Sequence, residues 1–407
     1  MVFYGVHRPG YHDPLNYISN QETVNLIKTH APGCNAIKAG FLAASVYSTS
    51  WTMPDPNAPG GTRLGRDVNR ELRDLCEAAG IHFFQHFSAG RSTFDFYPFH
   101  AERAQIILNA DGMQVTWIND LKANLGFYDP SGLDPLNEPH DWNTYTNYGQ
   151  WNSAYWPYFT AATQAALKAS SQTDFLNKYN AFVAKAVDEL HAIKPSLVCC
   201  INPLPFWDSR ASAASPVRRA NTWYSSHRYY NGGASSSCAA PSSSHPELVA
   251  YWNRNFTEAK RLLYEQLDLK GPGPLINAGL PVNQDEIGIN GYCVMPSGGD
   301  SHGHLTWMRD MYDYCKAHGI GWFAHNLGPF LNPVHVNKWG LTTSDWRQLN
   351  SVGLYWAQNL PDAILDPVTL ISAQPTTFTV NGVQYPSGST LTLPRGTELQ
   401  FSVPEEI

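Results

Sequence analysis

Two glutamates in this sequence have neighbours that are typical of catalytic carboxylates. Glu138 lies in an Asn-Glu-Pro tripeptide after a short apolar run, and Glu286 lies just before Ile-Gly at the end of a polar run. Barrel enzymes place catalytic groups at the carboxyl ends of their strands. Two carboxylates placed there can cleave an ether-like bond, because one protonates the leaving oxygen and the other attacks carbon or activates water. Taken alone, the first stretch is more often a solvated turn, and the second is as often a surface strand end.

A histidine and a tyrosine lie between these glutamates on a predicted strand. His227 and Tyr229 are two residues apart, so their side chains point to the same face. A tyrosine hydroxyl beside a carboxylate keeps it ionised as a nucleophile, and a histidine can bind the substrate or the acid. A packed aromatic strand is an equal alternative for this segment. The same alternation implies that Asp285 and Glu286 do not both face the site.

The elements that would position these residues alternate as strand and helix along the first 360 residues. Eight strand candidates, each followed by helix-like sequence, predict a (β/α)8 barrel (a TIM barrel) with enlarged loops. The candidates are 2–6, 35–42, 81–87, the run before Glu138, 197–201, 222–230, a strand within 275–287, and 321–325. A doubly wound open sheet is the alternative, but no glycine-rich nucleotide-binding loop supports it.

The end of the chain has a different pattern. Alternating stretches at 377–380, 390–393 and 399–403, with an Asn-Gly hairpin turn at 381–382, predict a small β module. We therefore place the domain boundary between a catalytic domain at 1–362 and a β module at 363–407.

Composition narrows the function classes. The chain has 407 residues, 43% hydrophobic and 15% charged, with a net charge of −7, so nothing suggests nucleic-acid binding. No stretch is long enough for a membrane span. Seven cysteines without metal-like spacing argue against a zinc site, so we expect no metal and no cofactor. Cys199 and Cys200 are predicted to be buried thiols, whereas Cys238 and Cys293 could form a bridge.

The aromatic residues are numerous, with 13 Trp, 21 Tyr and 18 Phe. They suit a thick core or a cleft that stacks flat ligands such as sugar rings. One loop either lines such a cleft or packs on itself, and it contains Trp142, Tyr145, Tyr148, Trp151, Tyr155 and Trp156.

Together these segments resemble glycoside hydrolase family 5, a family of retaining β-glycosidases with (β/α)8 barrels. The resemblance covers about residues 1 to 360. It rests on the segments 33–38, 136–140 (Leu-Asn-Glu-Pro-His), 227–229 (His-Arg-Tyr), 285–288 (Asp-Glu-Ile-Gly) and 319–322 (Gly-Ile-Gly-Trp).

The resemblance implies a role for each residue of the site. Glu286 would be the nucleophile and Glu138 the general acid/base, which should titrate higher than the nucleophile. Asn137 would bind the sugar 2-hydroxyl. Tyr229 would be the hydroxyl partner of the nucleophile, and His227 the strand-6 histidine near the acid/base.

Three positions depart from the family pattern. Lys38 stands where members carry an arginine, which keeps the charge but loses the fork geometry, so its support of Glu286 is less direct. His86 is the nearest match to the usual strand-3 histidine. Where members have a substrate-stacking tryptophan on strand 8, either Trp322 takes that role in a shifted register or His325 replaces it.

The resemblance implies a monomeric, retaining endo-β-1,4-glycosidase that cleaves cellulose or a related β-glucan. β-Mannan is the alternative substrate, since the same machinery serves it. A non-catalytic glycan-binding barrel and a structural module of a larger surface assembly are the other classes considered. A polymeric substrate implies secretion, although no leader precedes the first strand.

Overall fold

A curled sheet of parallel strands forms the centre of the fold. The computed structural model describes residues 2–8, 19–42, 52–54, 59–88, 96–146, 156–230, 240–289, 294, 300, 302–325, 327, 341, 349–360, 365–369, 377–380, 383–386, 389–394 and 401–402. The strands are Tyr4–Arg8 (β1), Ala36–Leu42 (β2), Thr52–Pro54 (β3), Thr62–Leu64 (β4), His82–Ser88 (β5), Gly132–Asp134 (β6), Val198–Ile201 (β7), Thr222–Tyr224 (β8), Arg228–Tyr230 (β9), Asn283–Ile289 (β10), Gly321–His325 (β11), Leu365–Thr369 (β12), Thr377–Val380 (β13), Val383–Pro386 (β14), Thr390–Pro394 (β15) and Phe401–Ser402 (β16).

Nine of these strands form the sheet, in the order β8-β7-β6-β5-β2-β1-β11-β10-β9. Its strand pairings are all parallel. Strands β8 and β9 are two parts of the predicted sixth strand, separated by residues 225–227. A parallel bridge from Tyr224 to Val282 joins the two ends of the sheet, so the barrel closes with eight strand positions. The predicted (β/α)8 fold is confirmed.

Helices follow the strands and cover the outside of the barrel. They are Asn20–His30 (α1), Gly65–Ala78 (α2), Phe96–Leu108 (α3), Met113–Tyr128 (α4), Trp142–Thr146 (α5), Ala161–Ala169 (α6), Gln172–His191 (α7), Arg210–Ala214 (α8), Pro246–Trp252 (α9), Phe256–Leu269 (α10), Gly273–Asn277 (α11), His304–Ala317 (α12) and Ser351–Asn359 (α13). Helix α1 begins with a capping box, in which Ser19 accepts from the Glu22 N–H and Glu22 accepts from the Ser19 N–H. None of the helices in these segments combines the length and the hydropathy that a membrane crossing needs.

Aromatic rings fill the barrel at the amino ends of its strands. Phe3, Phe84, Trp223 and Phe323 belong to one buried cluster. Two glycines make room for it, because a Cβ on Gly132 would lie 2.0 Å from the ring of Phe84 and a Cβ on Gly5 would lie 2.5 Å from the ring of Phe323. This layer forms the floor on which the polar residues of the site rest.

The boundaries differ from the prediction in three places. Strand β6 ends at Asp134, four residues before Glu138, because Pro135 has no N–H to continue the ladder. The seventh strand, predicted within 275–287, is Asn283–Ile289 and extends two residues beyond that range, whereas the first residues of the range belong to helix α11. The region 225–227 is not strand, so His227 lies between β8 and β9.

Beyond residue 360 the described segments are short antiparallel strands. β12 pairs with β15, and β13 pairs with β14 and β16. Val380 faces Val383, which is the register of a two-residue hairpin, although residues 381 and 382 lie outside the described residues. The domain boundary at 362 stays a prediction.

Cys199 and Cys200 are buried free thiols, as predicted. Cys238 and Cys293 lie outside the described residues, so their pairing stays a prediction.

Candidate active site

A buried ionic layer lies above the aromatic floor of the barrel. The Lys38 ammonium on β2 lies 2.7 Å from Asp134 on β6 and 2.5 Å from Asp285 on β10, and all three side chains are 1% exposed. Burial disfavours the lysine cation, but the charges of Asp134, Asp285 and then Glu286 raise its pKa. Lys38 therefore stays charged, and its ion pairs with the two aspartates fix the carboxyl ends of three strands.

His227 connects this layer to the two glutamates. Its Nε2 lies 3.0 Å from Asp285 Oδ1, and its Nδ1 lies 2.8 Å from Glu138 Oε1 and 3.3 Å from Glu286 Oε2. Burial opposes the imidazolium, but the charges of Glu286 and Asp285 and the hydrogen bonds to Asp285 and Glu138 raise the pKa of His227 from 6.5 to about 10. His227 is therefore a buried cation surrounded by three carboxylates.

Asp285 and Glu286 both reach His227, which contradicts the expected alternation. The pairing of β10 with β11 shifts register between Gln284 and Ile287. Such a bulge redirects a side chain, so two successive residues can serve the same site. Ser225 donates to Asp285 Oδ1 and accepts from the Asp285 N–H at 2.7 Å, and these two hydrogen bonds fix the Asp285 carboxylate.

Glu286 is held by its carboxylate. The Tyr229 hydroxyl donates to Glu286 Oε2, as the sequence led us to expect. His325 Nδ1 lies 3.7 Å from the same oxygen. The Glu286 side chain is only 4% exposed, so these partners set its direction.

Glu138 is held by its main chain. It lies in a bend with φ of 47°, in the left-handed region that non-glycine residues rarely adopt. The Asn202 side-chain oxygen accepts from the Glu138 N–H at 2.7 Å. Arg103 donates to the Glu138 carbonyl, also at 2.7 Å. Together they stabilise a backbone conformation that presents the carboxylate to His227.

The pKa of Glu138 is lowered rather than raised. Burial alone would raise the pKa, but the hydrogen bond and charge of His227, with the charge of Arg103, lower it to about 2. The expectation that Glu138 holds a proton in the free protein is therefore wrong. The physical reason is that the proton resides on His227, 2.8 Å away.

The same three residues could hold a cation. One ligand atom from each of Glu138, His227 and Glu286 lies within 4.8 Å of the others. A metal would need a neutral imidazole, so it would have to displace the His227 proton. That the protein needs no metal or cofactor stays a prediction.

Comparison with known structures shows the fold of this chain, whereas comparison with known sequences finds no match. No family model matches the sequence, and no curated protein matches it either. The catalytic domain of the major endoglucanase from Xanthomonas campestris pv. campestris is similar, with a TM-score of 0.56 and 14% identity over 88% of this chain and 94% of that one. A hyperthermostable endocellulase gives a TM-score of 0.57 and 16% identity over 88% and 92% of the two chains.

A third similar structure is a broad-specificity endoglucanase of glycoside hydrolase family 5 from Clostridum cellulovorans. Its TM-score is 0.54, and its identity is 12% over 88% of this chain and 93% of that one. The chain has the (β/α)8 barrel fold that these enzymes share. The resemblance inferred from five short segments is thereby confirmed for the architecture, at an identity too low for sequence matching to detect.

Burial bears on the residues predicted to replace the substrate-stacking tryptophan of strand 8. Trp322 is 0% exposed and stacks on Tyr312 at a centroid distance of 5.0 Å, so it packs outside the barrel and the stacking role assigned to it is wrong. His325, the other alternative, lies at the mouth near Glu286. His86 is on β5 in register with Asp134, but its side chain lies outside the described residues.

Asn137 has a side-chain oxygen that a ligand could bind, whereas the described aromatic residues of the loop pack into the core. Asn137 is 4% exposed, and its side-chain oxygen has no hydrogen-bond partner among the described residues. Trp142 and Tyr145 instead pack into the core, where the Trp142 indole donates to the Leu167 carbonyl. Trp156 packs there too, so the described part of the loop favours packing over the alternative of a cleft lining. Tyr148, Trp151 and Tyr155 lie outside the described residues.

Sequence reasoning missed Arg103, Asn202 and Ser225. Arg103 is 0% exposed on α3, where an arginine in helical sequence looks like a surface residue. Asn202 was recognisable from the sequence, because it follows β7 and precedes a proline, as Glu138 follows β6 and precedes a proline. Ser225 gave none.

A cavity of about 890 Å³ opens beside Glu138. Its wall is formed by the segment after β6, by α5, and by the segment between β7 and α8. His100 and His140 line its inner end, with ring centroids 4.2 Å apart. Burial and the Arg103 charge lower the pKa of both histidines, that of His140 to about 3, so both are neutral at pH 7.

Proposed function

We propose that this protein is a retaining endo-β-1,4-glycosidase that hydrolyses cellulose or a related β-glucan through a glycosyl-enzyme intermediate. One observation carries the proposal: Glu138 and Glu286 both approach Nδ1 of His227, and one carboxylate oxygen of each lies within 4.8 Å of the other. Retaining enzymes place their carboxyl groups about 5–5.5 Å apart, whereas inverting enzymes need about 6.5–9.5 Å to admit a water. The short separation favours a nucleophile over a water-activating base.

In the first step Glu286 attacks the anomeric carbon. The Tyr229 hydroxyl donates to the Glu286 carboxylate, which keeps it ionised and directed for this attack. The leaving oxygen takes a proton from Glu138 as its bond to carbon breaks. Asn137, whose buried side-chain oxygen has no hydrogen-bond partner in the described part of the chain, binds the sugar 2-hydroxyl in the transition state.

The lowered pKa of Glu138 is compatible with this step because the site already contains the proton it needs. In the free protein one proton is shared along the 2.8 Å contact between His227 Nδ1 and Glu138 Oε1. Its transfer to Glu138 leaves a neutral imidazole and an acid beside the leaving oxygen. The total number of protons is that of the ordinary two-carboxylate mechanism.

In the second step water replaces the enzyme at the anomeric carbon. Glu138 accepts a proton from this water, and the oxygen attacks the carbon while the bond to Glu286 breaks. The product keeps the configuration of the substrate, because each of the two steps inverts it.

The choice of β-glucan rests on the neighbours, several of which are described as endoglucanases or glucanases. β-Mannan stays the alternative, since the same two carboxylates serve it. A polymeric substrate also implies that the protein acts outside the cell.

The test compares wild type with Glu138→Gln and Glu286→Gln on carboxymethyl-cellulose and on β-mannan, by release of reducing ends. We expect Glu138→Gln to lower kcat by about 10²–10⁴-fold, the usual contribution of an acid/base. Glu286→Gln should lower it by on the order of 10⁶-fold, as removal of a nucleophile can. Glu189→Gln, an exposed pair partner of Lys122, is the matched control and should change nothing.

The outcomes separate the alternatives. Equal release by wild type and both variants, or none by wild type, would leave a glycan-binding barrel as the better reading. Activity on mannan alone would replace the β-glucan assignment. Proton NMR of the first-formed product must show the β-anomer, and the α-anomer would contradict the retaining mechanism.

A further inference from the structure

We propose that Asp134 positions the acid/base Glu138 through the buried cation Lys38. This inference rests on the proposed function, because it assigns a further positioning residue to that reaction. Among the described residues Asp134 forms an ion pair with Lys38 alone, so it acts on the reaction through that residue.

The contacts of Asp134 begin a continuous row of alternating charges. Asp134 lies 2.7 Å from the Lys38 ammonium, which lies 2.5 Å from Asp285. Asp285 lies 3.0 Å from His227, which lies 2.8 Å from Glu138. Except for Glu138, each of these side chains is at most 1% exposed, so solvent and salt screen the charges little. A change of charge at Asp134 therefore reaches the acid/base.

The row of charges returns to the strand end at which it starts. Asp134 is the last residue of β6, and Glu138 follows it after a short segment. The Trp117 indole donates to the Pro135 carbonyl at 2.8 Å, which holds this segment in its middle. The segment is thus fixed at Asp134 by Lys38 and at Glu138 by His227. Loosening its first end changes how the Glu138 carboxylate meets the imidazole.

Lys38 is shared by two carboxylates that are not equally supported. Asp285 also accepts from the Ser225 hydroxyl and faces His227, whereas Asp134 relies on Lys38. Burial and the charge of Asp285 raise the pKa of Asp134 to about 7, against the lowering effect of Lys38. When two carboxylates share one site, one of them retains a proton, and here that carboxylate is Asp134.

The ionisation of Asp134 is set by these two charged partners. Asp134 faces Lys38 on β2, Cys200 on β7 and Asp285 on β10. Burial raises the pKa of the Cys200 thiol well above its ordinary value, so the thiol is neutral. His86 on β5 is in register with Asp134, but its side chain lies outside the described residues. Burial also raises the pKa values of Cys199 and Tyr179, so both are neutral.

The charge on Asp134 affects the proton that His227 shares with Glu138. Ionised Asp134 attracts the Lys38 ammonium and leaves more of the Asp285 charge to His227. Because the Asp285 charge raises the pKa of His227, the shared proton is then held to higher pH. Protonated Asp134 lacks this effect, so Asp134 supports the reaction chiefly on the alkaline side.

The variant Asp134→Asn removes the charge and keeps the shape of the side chain, so it imitates protonated Asp134 at every pH. On the polysaccharide that wild type cleaves, its kcat/KM at about pH 5.5 should stay within about twofold of wild type. The alkaline limb of its kcat/KM profile should move to lower pH by about one unit, which is about tenfold on that limb. In a Lys38→Met background Asp134→Asn should move the limb no further, because its effect passes through Lys38.

Unfolding in denaturant tests the state of Asp134 without any substrate. A carboxyl group whose pKa is raised from 3.8 to about 7 contributes stability that is complete below 3.8 and is lost as pH rises to about 7. Asp134→Asn does not show this loss. The free energy of unfolding of the variant relative to wild type should therefore rise between about pH 4 and about pH 7 and then level off.

Asp310→Asn is the matched control for loss of a buried, paired aspartate. Asp310 is 1% exposed on α12 and lies 3.1 Å from Arg309 and 3.4 Å from Lys260. The control should lower the denaturant midpoint and leave the shape of the kcat/KM profile unchanged.

Other results of the activity assay overturn the inference. An equal loss of kcat/KM at every pH would mean that Asp134→Asn acts through the fold, and no change at any pH would mean that Asp134 does not support the site. A further shift of the limb in the Lys38→Met background would mean that the effect takes another path. If that background does not fold, the pH profile and the unfolding curves of Asp134→Asn decide.

The unfolding curves and wild type itself give the remaining outcomes. A relative stability that falls with pH would mean that Asp134 is an ordinary ionised partner of Lys38, which contradicts the inference. If wild type cleaves no polysaccharide, the proposed function fails, and this inference fails with it. That failure is seen in wild type, whereas failure of this inference alone is seen only in the variant.

Discussion

Glu138 and Glu286 approach the same histidine, yet the chain holds them in different ways. Both carboxylates contact His227, but Glu138 is fixed in addition through its peptide group, whose N–H and carbonyl are bound by Asn202 and Arg103. Glu286 is fixed through its carboxylate, which accepts from Tyr229 and faces His227. The side chain of Glu138 is also the more exposed, at 23% against 4%.

The difference agrees with what each carboxylate is proposed to do. An acid/base must gain and lose a proton, so fixing its backbone leaves the carboxylate able to exchange with His227 and water. A nucleophile must stay ionised and aimed at one carbon, so its oxygen is fixed directly. The Glu286 side also depends on the buried charges of Asp285 and Lys38, which are costly to disturb.

Removing the buried charge on the Glu286 side should have the largest effect. Asp285→Asn takes a partner from both Lys38 and His227, and breaking such a buried pair costs about 3–5 kcal/mol. Because Asp285 helps to raise the pKa of His227, that pKa falls in the variant. The shared proton is then lost at lower pH, so the alkaline limb of the kcat/KM profile should move to lower pH. Denaturant unfolding and the pH–rate profile measure the two effects.

The stability lost in Asp285→Asn should depend on pH, because Asp285 helps to raise the pKa of His227. A raised histidine pKa stabilises the fold fully below 6.5, and this contribution is lost as pH rises toward about 10. The gap in unfolding free energy between wild type and Asp285→Asn should therefore narrow between these values, without closing, because Lys38 also loses a partner. Asp313→Asn, at an exposed aspartate, is the control. A gap that widens with pH would contradict this account.

Removing a backbone support on the Glu138 side should have a smaller and more selective effect. Asn202→Ala leaves the buried Glu138 N–H without its acceptor, which costs about 1–3 kcal/mol. The carboxylate is then misplaced, and kcat/KM on the polysaccharide should fall by roughly 10- to 100-fold. An aryl glycoside with a good leaving group needs little acid assistance, so its kcat/KM should change much less.

Asp285→Asn, in contrast, should lower kcat/KM on both the polysaccharide and the aryl glycoside. Asn180→Ala removes an exposed asparagine that donates to the Ser215 carbonyl and serves as the control. Equal losses on both substrates for Asn202→Ala would mean that the backbone contact does not act through the acid/base.

The residues of the site that local sequence patterns position could be predicted, whereas those that distant contacts position could not. The barrel follows from the alternation of strands and helices along the chain, and the placement of Glu138 and Glu286 follows from the rule that strand carboxyl ends meet at one face. Same-face alternation does not account for His227, which lies between β8 and β9. These rules depend on local sequence, and the chain follows them on most strands.

The supports of Glu138 and the role of Asp285 depend on contacts that local sequence does not encode. Arg103 reaches Glu138 from a helix 35 positions earlier in the sequence, and Asn202 does so from 64 positions later. Asp285 was set aside because alternation forbids two successive residues from facing one site, and the register shift on β10 removes that restriction. The lowered pKa of Glu138 likewise follows from three-dimensional charge placement, not from residue type.

The weakest contact on the Glu286 side should have the smallest effect. His325 Nδ1 lies 3.7 Å from Glu286 Oε2, beyond hydrogen-bond range, and burial lowers the pKa of His325 so that it is mostly neutral. A contact of this kind contributes at most about 1 kcal/mol, so His325→Ala should change kcat by about fivefold or less. If His325 contacts the substrate in place of the missing tryptophan, KM should rise while kcat stays nearly unchanged. His245→Ala, with 59% of its side chain exposed, is the control for loss of a histidine. A fall in kcat beyond about a hundredfold would mean that His325 supports the nucleophile as strongly as Tyr229 does, and the carboxylate of Glu286 would then be fixed from two strands instead of one.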